Sequence, residues 1–119
     1  MTDTYNIFCD PGHSWVSVRP ADLVAIGMTL EDISNHSYAW IAKDKTITIY
    51  LEEDCDASLF VNRYISTYGR QPEFREHYSP EPSKIRQYMT IRQLDRTLNE
   101  NTWSKRFDNA LADSGRGIV

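Results

Sequence analysis

The sequence has few of the residues that mark secreted, membrane or metal-binding proteins. Its 119 residues include only two cysteines, Cys9 and Cys55, too few for a disulfide framework. No apolar run approaches the roughly 20 residues that cross a bilayer, and the N-terminus lacks a basic region followed by an apolar stretch. Its histidines and cysteines form neither a C-x-x-C nor an H-x-x-x-H pair. We therefore expect a cytoplasmic protein with reduced thiols, without membrane contact, a metal or a cofactor.

Signatures of a particular reaction or of nucleic-acid binding are also missing. The sequence contains no G-x-S-x-G nucleophile elbow and no glycine-containing EF-hand loop. Its net charge of −4 argues against direct nucleic-acid binding, because contacts with phosphates require a basic surface. The charge is uneven, since residues 1–59 have three basic and ten acidic side chains whereas residues 60–119 have ten basic and seven acidic. This imbalance favours an acidic surface formed by the first half of the chain.

What the sequence does contain is the pattern of a small α+β domain. Residues 46–51 alternate Ile or Leu with Thr or Tyr, as in a half-buried strand, and residues 38–42 precede them as the other arm of a hairpin. Shorter strands are predicted at residues 5–9 and 14–18, and an edge strand at residues 74–78. We therefore expect a small antiparallel sheet of four to five strands.

One amphipathic helix is predicted over residues 55–68 and should pack on that sheet. Its apolar residues fall at helical spacing: Ala57, Phe60, Val61, Tyr64, Ile65 and Tyr68. Gly69 ends it. Apolar spacing predicts another helix between Ile85 and Leu98, and a last one beginning at Thr102. We expect a single domain over residues 1–119, with a core at about 4–90 and a C-terminal helical addition at about 91–114.

Four carboxylates lie where the strongest strand meets this helix. We call them the acidic block: Glu52, Glu53, Asp54 and Asp56. Strand alternation places Glu52 beside Tyr50 on the outward face and Glu53 on the core-facing side. Asp54 and Asp56 precede or begin the helix, where a carboxylate can accept bonds from unpaired amides and meet the helix dipole. Cys55 between them is interpreted as an ordinary buried residue.

A second group of residues is suited to acid–base chemistry or to anion binding. His13 follows a tight turn and Glu53 closes a neighbouring strand, while Arg86 and Tyr88 could complete a pocket for an anion or a carbonyl. The alternative is structural: His13 would bind the backbone of its turn, and Glu53 would pair with Arg86. The sequence favours this alternative over catalysis.

The aromatic residues allow two interpretations as well. Trp15, Tyr38, Trp40 and Tyr50 could form a stacking surface for a base or sugar if they lie on one face of the sheet. Such residues more often belong to the core.

Several segments together resemble a group of small uncharacterised proteins encoded by phages and plasmids. These segments are D-P-G-H-S-W-V at 10–16, I-S and S-Y within 33–38, Y-L-E-E-D-C-D-A at 50–57 and K-I-R-Q-Y at 84–88. The resemblance covers about residues 4–88 and departs from the group's pattern at 35–36 and 39–40. It implies a phage or plasmid origin and no mechanism. Residues after about 90 stand as an addition to the group's pattern.

The sequence therefore leads to two hypotheses about function. The leading one is an accessory protein that binds a host protein through the acidic block, as an antagonist of host defence. The alternative is a protein that binds a small anionic molecule or a nucleotide, or a hydrolase, in which His13 and Glu53 would be catalytic. A third hypothesis is a structural or assembly protein in which the acidic block only caps a helix. The sequence also allows a homodimer. Residues expected to bind are Glu52, Glu53, Asp54, Asp56, Trp15, Tyr38, Arg86 and Tyr88.

Overall fold

The computed structural model describes residues 3–100, which fold into one sheet and three helices. The strands are β1 (Thr4–Cys9), β2 (Ser14–Val18), β3 (Tyr38–Ile41), β4 (Ile47–Glu52), β5 (Glu73–Tyr78) and β6 (Met89–Thr90). The helices are α1 (Pro20–Ala25), α2 (Asp56–Tyr68) and α3 (Ile91–Glu100), and short 3₁₀ turns occupy Leu30–Asp32 and Lys84–Gln87. The predicted α+β class is confirmed.

The sheet is larger than predicted and is not wholly antiparallel. Its six strands have the order β5-β1-β2-β4-β3-β6. The β1–β5 pair is parallel and the other pairs are antiparallel. The prediction of four to five antiparallel strands is therefore wrong in number and in one pairing. The sequence has no signal for either feature: β6 has two residues, too few for an alternating pattern, and β5 pairs with a strand that is distant in sequence.

All three helices contribute to one hydrophobic core on a single face of the sheet. Alternate residues of β2 and β4 point to this core, and α2 adds Phe60 and Tyr64, neither of which has any exposed surface. Gly69 ends α2 with a positive φ of 72°, as predicted. The predicted helix between Ile85 and Leu98 is only partly correct. A 3₁₀ turn and β6 precede α3, whose apolar residues Ile91, Leu94 and Leu98 join the same core.

The opposite face of the sheet is aromatic. Tyr38 pairs with Tyr50, and Trp40 with Thr48, so the aromatic residues alternate with the core residues. The four aromatics for which a stacking surface was one of two interpretations do share this face: Trp15, Tyr38, Trp40 and Tyr50. Residues 79–88 cross it, because the ring of Tyr88 lies 4.9 Å from that of Trp40 and 5.4 Å from that of Tyr50.

Among residues 3–100, none of the helices is both long and apolar enough to cross a membrane. The predicted helix beginning at Thr102 lies outside the described residues.

Candidate functional site

A cleft of about 370 Å³ opens at one end of the aromatic face. Four segments form it: the β1–β2 turn with the start of β2, the loop before β3, the β4–α2 junction and the 3₁₀ turn at Lys84–Gln87. The lining residues are His13, Trp15, Asn35, His36, Tyr38, Glu52, Asp54, Cys55 and Arg86. Segments that are far apart in sequence thus place aromatic, cationic and acidic side chains around one small space.

Arg86 is fixed beside the cleft by a buried carboxylate. Its Nε and Nη2 donate to the two oxygens of Asp10 at 2.6 and 2.9 Å, a bidentate ion pair. Backbone amides of Gly12, His13 and Ser83 donate to the same carboxylate at 2.9 to 3.0 Å. The Arg86 hydrogen bonds, followed by those of the amides, hold the pKa of Asp10 well below its usual range. Asp10 therefore stays charged and joins the β1–β2 turn to the distant Lys84–Gln87 turn.

This pair corrects a prediction from the sequence. The structural alternative paired Arg86 with Glu53. That pairing is wrong, because Arg86 binds Asp10, and Glu53 accepts a hydrogen bond from the Ser14 hydroxyl at 2.7 Å. Gly12 leaves room for the pair, since a Cβ there would lie 2.9 Å from Nη2 of Arg86. The remaining nitrogen, Nη1, has no hydrogen-bond partner among residues 3–100.

Trp15, one of the residues that line the cleft, has an unusual polar group. The residue is only 2% exposed, and its indole N–H is buried without a hydrogen-bond partner in the described part of the chain. Its ring lies under the Arg86 guanidinium, whose carbon is 5.6 Å from the ring centroid, and beside the rings of His13 and Tyr38. Because buried donors are nearly always paired, this N–H requires an explanation.

The β4–α2 junction differs from the sequence prediction mainly in which of its side chains are buried. Glu52 lies on the aromatic face, as predicted, but is 8% exposed and does not point outward into solvent. Its carboxylate accepts the Asp54 amide at 3.2 Å. Glu53, predicted to face the core, is exposed because the strand ends at Glu52 and the chain turns. Asp54 is exposed, and Cys55, predicted to be buried, is exposed as well.

Asp56 is buried and binds the loop before β3 instead of capping its own helix. It accepts the Ser34 amide at 3.1 Å, the Ser34 hydroxyl at 2.7 Å and the hydroxyl of Ser37. Ser37, which has no exposed surface, in turn accepts the Glu52 amide at 2.9 Å. The residue at the start of α2, Cys55, makes no side-chain cap. The predicted capping role of the two aspartates is therefore wrong, although Asp56 still lies in the first turn of the helix.

The structure brings together most of the residues predicted to bind. Those that line the cleft are Trp15, Tyr38, Glu52, Asp54 and Arg86, and His13, predicted as a catalytic candidate, lines it as well. Glu53 lies at its edge, where one ligand atom each from His13, Glu52 and Glu53 lie within 4.8 Å of one another. Asp56 stands behind the wall. Tyr88 lines a neighbouring cavity of about 350 Å³ together with Phe8 and Tyr50.

Sequence reasoning missed three residues of the site. Asp10 is visible in the sequence as the first residue of a D-P-G turn, a position where aspartate binds the following amides. Its pairing with Arg86 had no sequence signal, because 76 positions separate the two residues. Asn35 and His36 belong to a loop whose position depends on Asp56, so no local pattern marks them.

Comparison with known proteins assigns no family. The chain matches no protein-family model, no curated protein and no solved structure. The site is therefore interpreted from its own residues.

Proposed function

We propose that this protein binds a small molecule carrying an oxyanion, a carboxylate or a phosphate group, in the cleft beside Trp15. The observation that carries the proposal is the indole N–H of Trp15, which has no hydrogen-bond partner among the described residues. Trp15 lines the cleft and is only 2% exposed. An oxygen atom of a bound ligand would accept this bond and remove the cost of a buried unpaired donor, about 1 to 3 kcal/mol.

The other polar groups of the cleft include several donors. Nη1 of Arg86 has no partner among the described residues, and Asn35 uses its amide oxygen for the Arg92 amide at 3.1 Å, which leaves the side-chain NH2. Donors that converge from separate segments suit a ligand with several acceptor oxygens. The cleft volume of about 370 Å³ is near the lower end of small-molecule sites and fits a small metabolite.

The leading hypothesis from the sequence, a host protein bound through the acidic block, has less support. Glu52 is 8% exposed and Asp56 4% exposed, so only Glu53 and Asp54 present their charge to solvent. A phage or plasmid origin and antagonism of host defence stay predictions. The hydrolase hypothesis, with His13 and Glu53 as catalytic residues, also stays a prediction, and their proximity favours it over an isolated role for either side chain.

The proposal can be tested by nitrogen-15 NMR on the indole N–H resonances. We would titrate the protein with inorganic phosphate, succinate and adenosine monophosphate, after native mass spectrometry has shown whether a molecule is retained. At least one of these ligands should shift the Trp15 resonance in a saturable manner.

Two tryptophan variants make the test specific. Trp15→Phe keeps a ring but removes the N–H, and we expect it to weaken binding about 10-fold, as for the loss of one hydrogen bond. Trp40→Phe is the matched control, because Trp40 lies on the same face of the sheet, is 48% exposed and does not line the cleft. No saturable shift with any of the three ligands, or equal effects of the two variants, would refute the proposal.

A further inference from the structure

A histidine and two glutamates meet at the edge of the cleft. One imidazole nitrogen of His13 and one carboxylate oxygen each of Glu52 and Glu53 all lie within 4.8 Å of one another. Two ligands of a tetrahedral zinc ion lie about 3.3 to 3.6 Å apart, because each bond is about 2.0 to 2.2 Å long. Side-chain movements of about 1 Å are therefore enough to place an ion between them. We infer that His13, Glu52 and Glu53, which we call the triad, bind a divalent transition-metal ion. This inference rests on the proposed ligand cleft and extends it.

The sheet register places these three side chains together. Trp15 pairs with Glu52 across β2 and β4, and the Glu53 amide donates to the Ser14 carbonyl at 3.1 Å. The residue just before β2, His13, is therefore brought beside the end of β4. The convergence comes from the backbone of two paired strands and does not depend on flexible side chains alone.

Both carboxylates are also held by a neighbour, and the backbone of His13 is fixed by the turn in which it lies. The Ser14 hydroxyl donates to one oxygen of Glu53 at 2.7 Å, and the Asp54 amide donates to one oxygen of Glu52 at 3.2 Å. Among the described residues, the second oxygen of each carboxylate has no such bond. The turn of His13 is fixed through its backbone amide by Asp10 at 2.9 Å. Such supporting hydrogen bonds are typical of metal ligands, since they fix orientation before the ion binds.

The ligand set identifies the class of ion. One imidazole with two carboxylates suits Zn²⁺ or Mn²⁺, whereas Mg²⁺ and Ca²⁺ prefer oxygen ligands alone. Three protein ligands leave at least one coordination position for a water molecule or a ligand oxygen. His13 and Glu52 line the cleft, so an open position would be next to the space where the proposed ligand binds.

A second, independent observation next to the triad points to an oxygen-bearing ligand: the buried, unpartnered N–H of Trp15, the residue that pairs with Glu52 across β2 and β4. The charges explain why an ion and an oxyanion belong together. Around the cleft edge, three carboxylates of the acidic block, Glu52, Glu53 and Asp54, outnumber the single guanidinium of Arg86. These carboxylates weaken the binding of an oxyanion at this edge but do not prevent it, because Arg86 and the Trp15 N–H still provide donors. A dication would balance the excess negative charge and allow an oxygen of the ligand to approach.

Metal titration of the chelator-treated protein tests the inference. In calorimetry with ZnCl₂, MnCl₂ and MgCl₂, we expect one saturable site per chain for Zn²⁺ or Mn²⁺ that is at least about 10-fold tighter than for Mg²⁺. His13→Ala and Glu53→Gln should each weaken it at least about 10-fold, and because both side chains are exposed these variants should fold.

The matched controls are His36→Ala and Cys55→Ser, two other metal-binding side chains of the same cleft that lie outside the triad. Both should bind the ion like the unchanged protein. No saturable binding, or equal losses in His36→Ala and His13→Ala, would overturn the inference.

A titration with the oxyanion ligands in EDTA separates this inference from the proposed function. If Zn²⁺ and Mn²⁺ fail to bind but succinate or phosphate still shifts the Trp15 resonance in EDTA, only the metal site is refuted. If the metal binds at the triad and no oxyanion shifts that resonance with or without it, the metal site stands and the ligand proposal fails.

Discussion

Replacing Asp56 by alanine should destabilise the protein far more than replacing its neighbour Asp54. Asp56 is 4% exposed and accepts hydrogen bonds from the Ser34 amide, the Ser34 hydroxyl and the Ser37 hydroxyl. Ser34 is partly exposed, so water can replace its lost acceptor. Ser37 has no exposed surface, so its hydroxyl would lose its acceptor without access to water. The loss of folding free energy in Asp56→Ala therefore has two parts, a smaller one from Ser34 and a larger one from Ser37.

The magnitude follows from these contacts. A stranded buried hydroxyl costs about 1 to 3 kcal/mol, and the exchange of the Ser34 bonds for water adds about 1 kcal/mol. We expect the free energy of unfolding of Asp56→Ala to fall by about 2 to 4 kcal/mol. For a domain of this size, that lowers Tm by roughly 8 to 16 °C. Asp54→Ala removes an exposed carboxylate and should change stability by less than about 0.5 kcal/mol.

Urea unfolding followed by circular dichroism would measure both variants. A double-mutant cycle with Ser37→Ala adds specificity: the two changes should be strongly non-additive, since they remove the two sides of one contact. The loop with Asn35 and His36 should also shift its NMR resonances in Asp56→Ala, because Asp56 holds it. If Asp56→Ala is as stable as Asp54→Ala, the assigned role of the buried carboxylate is wrong.

Three further outcomes are expected. Phe60→Ala, at a side chain with no exposed surface, should cost about 3 to 5 kcal/mol in urea unfolding, and a smaller loss would mean a loosely packed core. Burial raises the pKa of Tyr5, Tyr50 and Tyr64. The unfolded chain therefore loses these protons first, from about pH 10, and stability should fall as the pH rises further. Absorbance at 295 nm should show them ionising late or with unfolding, and normal ionisation in the folded protein would contradict this. Arg86→Lys removes the bidentate bond, so the pKa of Asp10 should rise toward its usual value in a carbon-13 NMR titration, whereas an unchanged pKa would mean that the amides alone hold it.

The sequence predicted those elements whose pattern is local. Residues 46–51 alternate as a strand does. The apolar residues from Ala57 to Tyr68 recur at helical spacing, which places them on one face of a helix, so both elements were identified. The two-residue strand β6 and the parallel pairing of β5 depend on partners distant in sequence, and no periodicity encodes them.

The same distinction holds for the site. Alternation correctly placed Glu52 on the face of Tyr50, and the four aromatics do share that face. Burial of Glu52 and Asp56 was not predictable, because the loop with Ser37 that covers them arrives from 15 to 19 positions away. Likewise, Arg86 can pair with Asp10 only when the 3₁₀ turn at Lys84–Gln87 is packed against the β1–β2 turn, which the sequence does not reveal.

The indole N–H resonance of Trp15 gives the most direct test of the ligand site. During titration with phosphate, succinate or adenosine monophosphate in the presence of Zn²⁺, we expect it to shift to saturation while the Trp40 resonance stays in place. A Trp15 resonance that does not move with any of the three ligands would contradict the assignment of the cleft as a binding site.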